Sequence, residues 1–214
     1  MNYQAIIFDL DGVLCYTDKY HYKAWKQIAD EENIYFDEEI NKRLRGVSRM
    51  DSLNIVLERA ERNYTDREKE NLARRKNEIY VSLLNGISED SLADGVIETL
   101  ERLRNYGIKT AVGSSSKNTE LILKKLGLEK YFDAVSDGNG LRRSKPNPEV
   151  FIKAADMLNM RPCECLVVED ALAGIEAAYR GGFFSAAIGD AKNHMKATYE
   201  IGKLSDLEKI VTAV

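Results

Sequence analysis

From Ser88 onward, the sequence alternates between apolar runs typical of buried strands and amphipathic patterns typical of helices. The apolar runs cover residues 108–113, 132–135, 165–168 and 184–188. Such alternation predicts right-handed β-α-β crossovers, and therefore a parallel sheet with helices on both faces. A further apolar run near the N terminus, Ala5 to Phe8, is predicted to be a strand of the same sheet, buried on both faces.

The segment between that first strand and the alternating region is helical in pattern throughout. Amphipathic helices are predicted at about residues 20–31, 50–62 and 65–84, with a short helix after Asp37. Four helices without a strand indicate a small helical domain inserted just after the first strand. We therefore predict an α/β chain with a Rossmann-like parallel sheet core of residues 1–14 and 88–214, and a helical insertion of residues 15–87.

The composition excludes several classes of protein. The chain has 214 residues, of which 44% are hydrophobic and 31% charged, as in soluble globular proteins. Its net charge of −4 argues against nucleic acid or an anionic membrane as a partner, and no apolar run is long enough to cross a bilayer. The first strand leaves no room for a signal peptide, and three cysteines without framework spacing indicate reduced thiols. We expect a cytoplasmic protein.

Two carboxylates, Asp9 and Asp11, directly follow the first strand, and Gly12 then permits a sharp turn. Burying a carboxylate at the end of an apolar strand is costly unless a cation or hydrogen bonds compensate. The same residues are also ordinary in a strand that ends in a capped turn. The Asp-x-Asp-Gly pattern alone does not decide between the two interpretations.

Polar residues also follow the other predicted strands, where ligands bind in open parallel sheets. Ser114 and Ser115 open the segment 114–118 that leads into the next helix, Lys145 precedes a proline, and Glu169 and Asp170 end a strand. Each has an ordinary explanation as a helix cap, a loop residue or a helix start. At one edge of the sheet with the two aspartates, the carboxylates predict a bound Mg²⁺ ion. Lys145 and the N terminus of a helix would then supply positive charge for a phosphate. The predicted chemistry is phosphoryl transfer.

At this point the chain resembles the haloacid dehalogenase superfamily of phosphotransferases, whose four motifs match as Asp9-x-Asp11-Gly12-Val13, Ser114, Lys145 and Glu169-Asp170. The resemblance covers essentially the whole chain and implies that the insertion is an all-helical cap domain. It implies that Asp9 is a nucleophile that becomes an aspartyl phosphate, and that Asp11 is the general acid and base. Ser114 and Lys145 would orient the transferring phosphate. The implied Mg²⁺ ligands are Asp9, Asp11 through its backbone carbonyl, Glu169 and Asp170.

Within that superfamily, three stretches resemble the β-phosphoglucomutase family. They are a hinge and first cap helix, a substrate-binding loop and a second phosphate contact, matched here by Thr17-x-x-Tyr20-His21-x-x-Ala24-Trp25, Arg45-Gly46-Val47-Ser48-Arg49-x-Asp51-Ser52-Leu53 and Ser116-Lys117-Asn118. Two positions depart from the family pattern. The family usually has Lys where Arg45 stands and Ala where Ser115 stands, so the exact sugar is left open.

The resemblance and the residue patterns together give two sets of predicted site residues. The catalytic set is Asp9, Asp11, Thr17, His21, Ser114 and Lys145. The substrate-binding set is Trp25, Arg45, Gly46, Val47, Ser48, Arg49, Ser52, Lys76, Ser115, Ser116, Lys117 and Asn118.

Some members of these sets have plainer interpretations. Arg49 could be a surface residue, although a cation is poorly placed in the first turn of a helix, which favours a distal phosphate site. Lys76 interrupts an apolar stripe and could reach solvent or point into a cleft. Trp25 suits the cap core better than a sugar platform, and His21 is either a surface residue or a link to Asp11 on cap closure.

The resemblance implies a β-phosphoglucomutase, which interconverts β-D-glucose 1-phosphate and D-glucose 6-phosphate through β-glucose 1,6-bisphosphate. The alternative within the same fold is a phosphatase of small sugar phosphates. An alternative of another class, a non-catalytic phosphosugar-binding protein, is disfavoured because every motif position holds a chemically competent residue. We expect Mg²⁺ as cofactor, small-molecule sugar phosphates as partners, neither nucleic acid nor membrane, and a monomer.

Overall fold

The core of the molecule is a parallel sheet. The structure is a computed structural model that describes residues 3–212. Within these residues, six strands form one sheet in the order β3-β2-β1-β4-β5-β6. The strands are β1 (Ala5–Phe8), β2 (Lys109–Gly113), β3 (Ala134–Ser136), β4 (Cys165–Glu169), β5 (Phe184–Ala187) and β6 (Tyr199–Glu200). Every pair is parallel, which confirms the predicted Rossmann-like core.

Strand β1 lies in the middle of the sheet, between β2 and β4. Its four residues are fully buried, as its unbroken apolar run predicted. Ile6 and Phe8 pack into one apolar cluster, and Ala5 and Ile7 into the cluster on the opposite face. The backbone N–H of Asp9 still donates to the carbonyl of Val168 at 2.9 Å, which fixes the position of Asp9 at the carboxyl edge of the sheet.

The predicted insertion consists of helices that follow β1. They are α1 (Asp18–Glu31), α2 (Glu38–Lys42), α3 (Arg49–Val56) and α4 (Asp66–Leu83). Helix α3 is shorter than predicted, because residues 57–59 form a 3₁₀ turn. Residues 58–62 contribute only Ala60 as an apolar side chain, so continuing the helix would bury little surface.

The cap has an apolar core of its own. Trp25, Leu53 and Leu72 are buried in one cluster contributed by these helices. Ser48 accepts a hydrogen bond from the backbone N–H of Asp51 at 3.2 Å and so caps α3. Thr65 and Glu68 form a capping box at the start of α4.

The remaining helices lie between and after the later strands. They are α5 (Val96–Asn105), α6 (Thr119–Lys125), α7 (Glu149–Leu158), α8 (Leu172–Arg180) and α9 (Leu207–Thr212). Strand β6 and helix α9 were not predicted from the sequence. The division into residues 1–14 with 88–214 and residues 15–87 stays a prediction, and residues 1–2 and 213–214 of the predicted core lie outside the described residues.

Candidate active site

The loop after β1 brings the chain against the end of β4. Gly12 has a φ of +86°, which glycine adopts without the strain that other residues incur. A Cβ atom there would lie 2.1 Å from Oδ2 of Asp170. Glycine therefore allows the Asp9-x-Asp11 loop to approach the carboxylate of the neighbouring strand.

Lys145 links the carboxylates at the ends of β1 and β4. Its Nζ atom donates to Oδ1 of Asp9 at 2.5 Å and to Oε2 of Glu169 at 2.8 Å, and its side chain is fully buried. Burial alone would lower the pKa of Lys145, but the two carboxylates outweigh burial and raise it. Lys145 is therefore a permanent buried cation between the two acids.

Three carboxylates form a group that suits a divalent cation. Asp9, Glu169 and Asp170 each offer an oxygen, and these oxygens lie within 4.8 Å of one another. Burial raises the pKa of Asp170 well above its ordinary value, and the neighbouring Glu169 and Asp9 act in the same direction. Hard carboxylate oxygens are the ligands that Mg²⁺ prefers, so the residues present fit this ion. The side chain of Asp11 is not in the group, and its ligation through the backbone carbonyl stays a prediction.

Ser114 lies at the end of β2 and is buried. Its hydroxyl accepts a hydrogen bond from the backbone N–H of Ser116 at 3.1 Å, and the Ser116 hydroxyl accepts from Asn118 at 3.2 Å. Helix α6 begins only at Thr119, so residues 114–118 form a loop. The sequence places the helix after residues 114–118, and the structure confirms that order, because these hydroxyls bind backbone N–H groups in a turn before the helix.

A cavity of about 1050 Å³ lies between the cap and the carboxyl edge of the sheet. It is lined by most predicted site residues, namely Asp9, Asp11, His21, Trp25, Arg45, Gly46, Val47, Ser48, Arg49, Ser52, Lys76, Ser114, Ser115, Ser116, Lys117, Asn118 and Lys145. Thr17, Glu169 and Asp170 are buried but are not among its lining residues. The structure thus brings the two predicted sets together around one space.

Lys76 points into the molecule, as one of its two interpretations predicted, and is only 2% exposed. Its Nζ atom lies 2.9 Å from Nδ1 of His21 and over the rings of Trp25 and Tyr80, at 4.8 and 4.7 Å from their centroids. Burial and, to a smaller extent, the nearby charge of Arg49 lower the pKa of Lys76 to about 7, although Asp11 opposes both effects. The cap thus holds a lysine that can gain or lose a proton near neutral pH.

His21 lies between Lys76 and Asp11. Its Nε2 atom is 3.9 Å from Oδ2 of Asp11, and its ring is 4.0 Å from that of Tyr80. Burial lowers the pKa of His21 well below its ordinary value, and Lys76 and Arg49 add to the effect, so the ring is neutral. If Lys76 donates to Nδ1, the ring proton is on Nε2 and faces the Asp11 carboxylate.

Comparison with known proteins identifies the family. The model of the haloacid dehalogenase-like hydrolases matches residues 3–182. The chain belongs to this family. The Asp9, Ser114, Lys145 and Glu169-Asp170 positions are those at which the sequence resembles haloacid dehalogenase motifs.

Among haloacid dehalogenase-like relatives, β-phosphoglucomutase of Bacillus subtilis is 40% identical over 206 residues, covering 95% of this chain and 91% of the relative. A phosphorylated carbohydrates phosphatase of Thermotoga maritima is 32% identical, covering 84% of this chain and 82% of its own length. The solved structure of β-phosphoglucomutase from Clostridium difficile has a TM-score of 0.92 and 36% identity, covering 97% of this chain and 95% of that one. The Rossmann-like haloacid dehalogenase fold is therefore shown.

Several residues around the cavity of this haloacid dehalogenase-like chain were not predicted from the sequence. Asn77, Arg142, Arg143, Ser144 and Arg180 also line it. Arg142, Arg143 and Ser144 directly precede Lys145 in the sequence. Their position in the same loop could have indicated that they lie near the site. Asn77 follows Lys76 on α4, but no motif indicated that its side chain accepts a hydrogen bond from Asn118 at 2.9 Å.

Proposed function

We propose that this chain is a Mg²⁺-dependent β-phosphoglucomutase. It interconverts β-D-glucose 1-phosphate and D-glucose 6-phosphate through an aspartyl phosphate on Asp9 and β-glucose 1,6-bisphosphate. The names of the two β-phosphoglucomutase relatives support this reaction, because the chain matches them over nearly its whole length. A phosphatase acting on small sugar phosphates is the alternative that the Thermotoga maritima relative favours.

The observation that carries the proposal is the charge around the cavity. Nine Lys and Arg residues line it, against five Asp and Glu residues, although the whole chain has a net charge of −4. A single phosphate group would need only one or two of these cations. The cavity of about 1050 Å³ has room for a drug-sized molecule, so it suits a sugar that carries a phosphate at each end.

Asp9 is placed to act as the nucleophile. Lys145 occupies its Oδ1 atom, which leaves the second oxygen for attack on phosphorus. A bond forms between this oxygen and phosphorus while the bond from phosphorus to a sugar oxygen of the bisphosphate breaks. A Mg²⁺ ion held by Asp9, Glu169 and Asp170 would neutralise charge on the transferring phosphoryl group when bound.

Asp11 is placed to move the proton that this exchange requires. It gives a proton to the departing sugar oxygen, and it takes one from the sugar hydroxyl that attacks the aspartyl phosphate in the next step. Burial raises the pKa of Asp11 well above its ordinary value, and Asp9 and Asp18 act in the same direction, which favours a protonated acid. His21 on the cap faces this carboxylate only while cap and core are together.

Phosphorus NMR separates the candidate functions. The enzyme is incubated with Mg²⁺, β-glucose 1-phosphate and a small amount of a phosphoryl donor such as acetyl phosphate. We expect glucose 6-phosphate as the main product. Accumulation of inorganic phosphate in place of glucose 6-phosphate would identify a phosphatase, and an unchanged substrate would identify a binding protein.

We also propose that the enzyme works as a cytoplasmic monomer with small-molecule sugar phosphates as its partners. Across residues 3–212, no helix combines the length and the apolar character needed to cross a lipid bilayer. All three cysteines are free, in line with the reduced thiols expected from their spacing. Light scattering during gel filtration tests the monomer by comparison with the chain mass of 24.2 kDa.

A further inference from the structure

Arg45 connects the cap to a turn of the core that contains none of the predicted site residues. Its guanidinium forms an ion pair with Asp18, Nη2 to Oδ2 at 2.5 Å, and a second with Asp190 through Nη1. Asp18 begins the first cap helix, whereas Asp190 lies in the 3₁₀ turn Gly189–Ala191 that follows β5. The pair with Asp190 therefore crosses the boundary between cap and core.

Ser115 makes a second contact across the same boundary. Its hydroxyl donates to the backbone carbonyl of Gly46, the residue after Arg45, at 2.9 Å. Gly46 itself packs closely on the core, since a Cβ atom there would lie 3.1 Å from that of Ala171. Two neighbouring residues of the loop 45–49 are thus held to the core by two different polar contacts.

These contacts involve the two positions that depart from the β-phosphoglucomutase pattern. A lysine has one ammonium group, whereas the planar guanidinium of Arg45 presents separate nitrogens to Asp18 and Asp190 in a fixed fork. An alanine in place of Ser115 could not donate to Gly46. The two departures therefore share one structural effect, which is to fasten the loop 45–49 to the core.

The turn that carries Asp190 also touches the acidic group. A Cβ atom on Gly189 would lie 3.6 Å from Cβ of Asp170, so this turn packs directly against one of the three clustered carboxylates. The ion pair between Arg45 and Asp190 therefore also fixes the loop 45–49 relative to the end of β4.

We propose that Arg45, Asp18, Asp190 and Ser115 form a latch that holds the loop 45–49 over Asp9, with Asp190 as a positioning residue of the core. The proposal rests on the proposed mutase function for its kinetic consequences. The latch favours the closed position of the cap before the substrate has bound. Less of the binding energy of the sugar phosphate is therefore needed for closure. It also limits the access of water to the aspartyl phosphate.

The size of the effect follows from exposure. The side chain of Asp190 is 62% exposed and that of Arg45 is 28% exposed, so their ion pair is screened by solvent. Exposed ion pairs change equilibria by about fivefold at most. We therefore expect the latch to tune KM and product partition and not to determine whether the reaction occurs.

The central test is Asp190→Asn, which removes the charge while keeping the shape of the side chain. We expect kcat/KM for β-glucose 1-phosphate to fall about threefold to fivefold, mainly through KM, and more inorganic phosphate per glucose 6-phosphate. Asp190→Glu, which keeps the charge, should recover most of the loss. In an Arg45→Met background, Asp190→Asn should have no further effect, because the two residues act as one unit.

The matched control is Glu58→Gln. Arg43 and Glu58 form another exposed ion pair, at 2.7 Å and two residues from Arg45, but both partners belong to the cap. Breaking this pair should leave KM and product partition unchanged. An equal effect of Glu58→Gln and Asp190→Asn would overturn the latch, since any lost surface pair would then do the same.

A second measurement does not depend on catalysis. Hydrogen exchange followed by mass spectrometry should show faster deuterium uptake in the loop 45–49 of Asp190→Asn than in the unsubstituted protein. Uptake could be faster in Asp190→Asn even if the unsubstituted protein makes no glucose 6-phosphate. That result would support the latch and would reject the proposed mutase function. Unchanged uptake, or equal kinetic losses in the Arg45→Met background, would show that the latch does not exist.

Discussion

Among single residues, Lys145 decides how much negative charge the end of the sheet can hold. It offsets Asp9 and Glu169 directly, and the second oxygen of Glu169 accepts the backbone N–H groups of Asp170 and Ala171 at 3.1 and 2.9 Å. Both oxygens of Glu169 therefore have hydrogen-bond donors, whereas Arg45 is the only cation that lowers the pKa of Asp170 among the described residues, and its effect is smaller than those of burial and the neighbouring carboxylates. This imbalance is the physical reason to expect a divalent cation at Asp170.

Asp9→Asn should abolish phosphorylation of the enzyme, because an amide cannot replace the carboxylate as nucleophile. We expect turnover to fall by at least about a thousandfold. Intact mass spectrometry after incubation with acetyl phosphate and Mg²⁺ should show no phosphorylated protein. Asp30→Asn, which changes an exposed carboxylate on the cap, is the control and should be phosphorylated normally. A phosphorylated Asp9→Asn protein, with deamidation excluded, would place the nucleophile elsewhere.

Lys76→Met should change how stability depends on pH. The pKa of Lys76 is lowered to about 7 in the folded protein from an ordinary value of 10.5, so between these pH values the unfolded chain binds a proton that the folded chain has released. Raising the pH through this window therefore stabilises the unsubstituted protein, by up to about 1.4 kcal/mol per pH unit. The variant lacks this gain.

Urea denaturation across this pH range provides the measurement. Near pH 7 the unsubstituted protein has gained least from releasing its proton, so the free energy of unfolding of Lys76→Met should exceed that of the unsubstituted protein by most there. This difference should shrink steadily towards pH 10.5. A difference between the two proteins that stays constant over the window would mean that Lys76 keeps its proton in the folded state.

At the scale of secondary-structure elements, helix α8 packs unusually closely on the end of the strand before it. A Cβ atom on Gly174 would lie 1.9 Å from Oε2 of Glu169, the oxygen that accepts from Lys145. The absence of a side chain at this position therefore lets the helix begin directly behind the acidic group.

Gly174→Ala should destabilise the protein, although the same change inside a helix usually stabilises it by about 1 kcal/mol. The added methyl group would displace Glu169, weaken its contact with Lys145 and lower the affinity for Mg²⁺. We expect a loss of about 1–3 kcal/mol in the free energy of unfolding. Calorimetric Mg²⁺ titration and thermal unfolding measure both effects.

Gly140→Ala serves as the control for that experiment, because nothing lies within 4 Å of a Cβ atom there. It should be neutral in both measurements. A Gly174→Ala protein that binds Mg²⁺ as tightly as Gly140→Ala would show that Glu169 can move without affecting the ion.

The elements that the sequence predicted best are those with continuous apolar runs. Strand β1 and the start of β4 were predicted to the residue, because each run is buried on both faces and ends in polar residues. The start of α5 has no such apolar run to mark it: Gly95 adopts a φ of +72° and the helix begins at Val96. Strand β6 has only two residues and α9 only six, which is too short for a periodic pattern.

At the scale of the whole molecule, the site exists only where two separately packed regions meet. The motif residues could be predicted because they follow strands of one sheet. The contacts between Arg45 and Asp190 and between Asn77 and Asn118 could not, because they depend on how the cap lies on the core. Sequence periodicity carries no information about that placement.

Arg49→Ala should separate the reactions of large and small substrates. Arg49 lines the cavity from the first turn of α3, where burial lowers its pKa and only Tyr80 opposes that effect. Loss of this cation should reduce kcat/KM for β-glucose 1-phosphate by at least about tenfold, since a remote phosphate loses a charge-assisted contact. Enzyme phosphorylation by acetyl phosphate, which has no second phosphate, should change much less. Equal losses in the two assays would show that Arg49 serves the fold.

The central position of β1 also has a consequence for biosynthesis. Ala5 pairs with Lys109 in β2 and with Cys165 in β4, so the strand that precedes Asp9 leaves the ribosome long before either partner is translated. The apolar cluster of the cap draws on residues 22–79, which are all translated before either partner strand and can therefore assemble first. The nascent chain therefore carries a folded helical unit beside an unpaired, wholly apolar strand that needs protection from aggregation. A ribosome that stops before Cys165 releases a protein with Asp9 but without Glu169 and Asp170, and such a fragment cannot assemble the phosphorylation site.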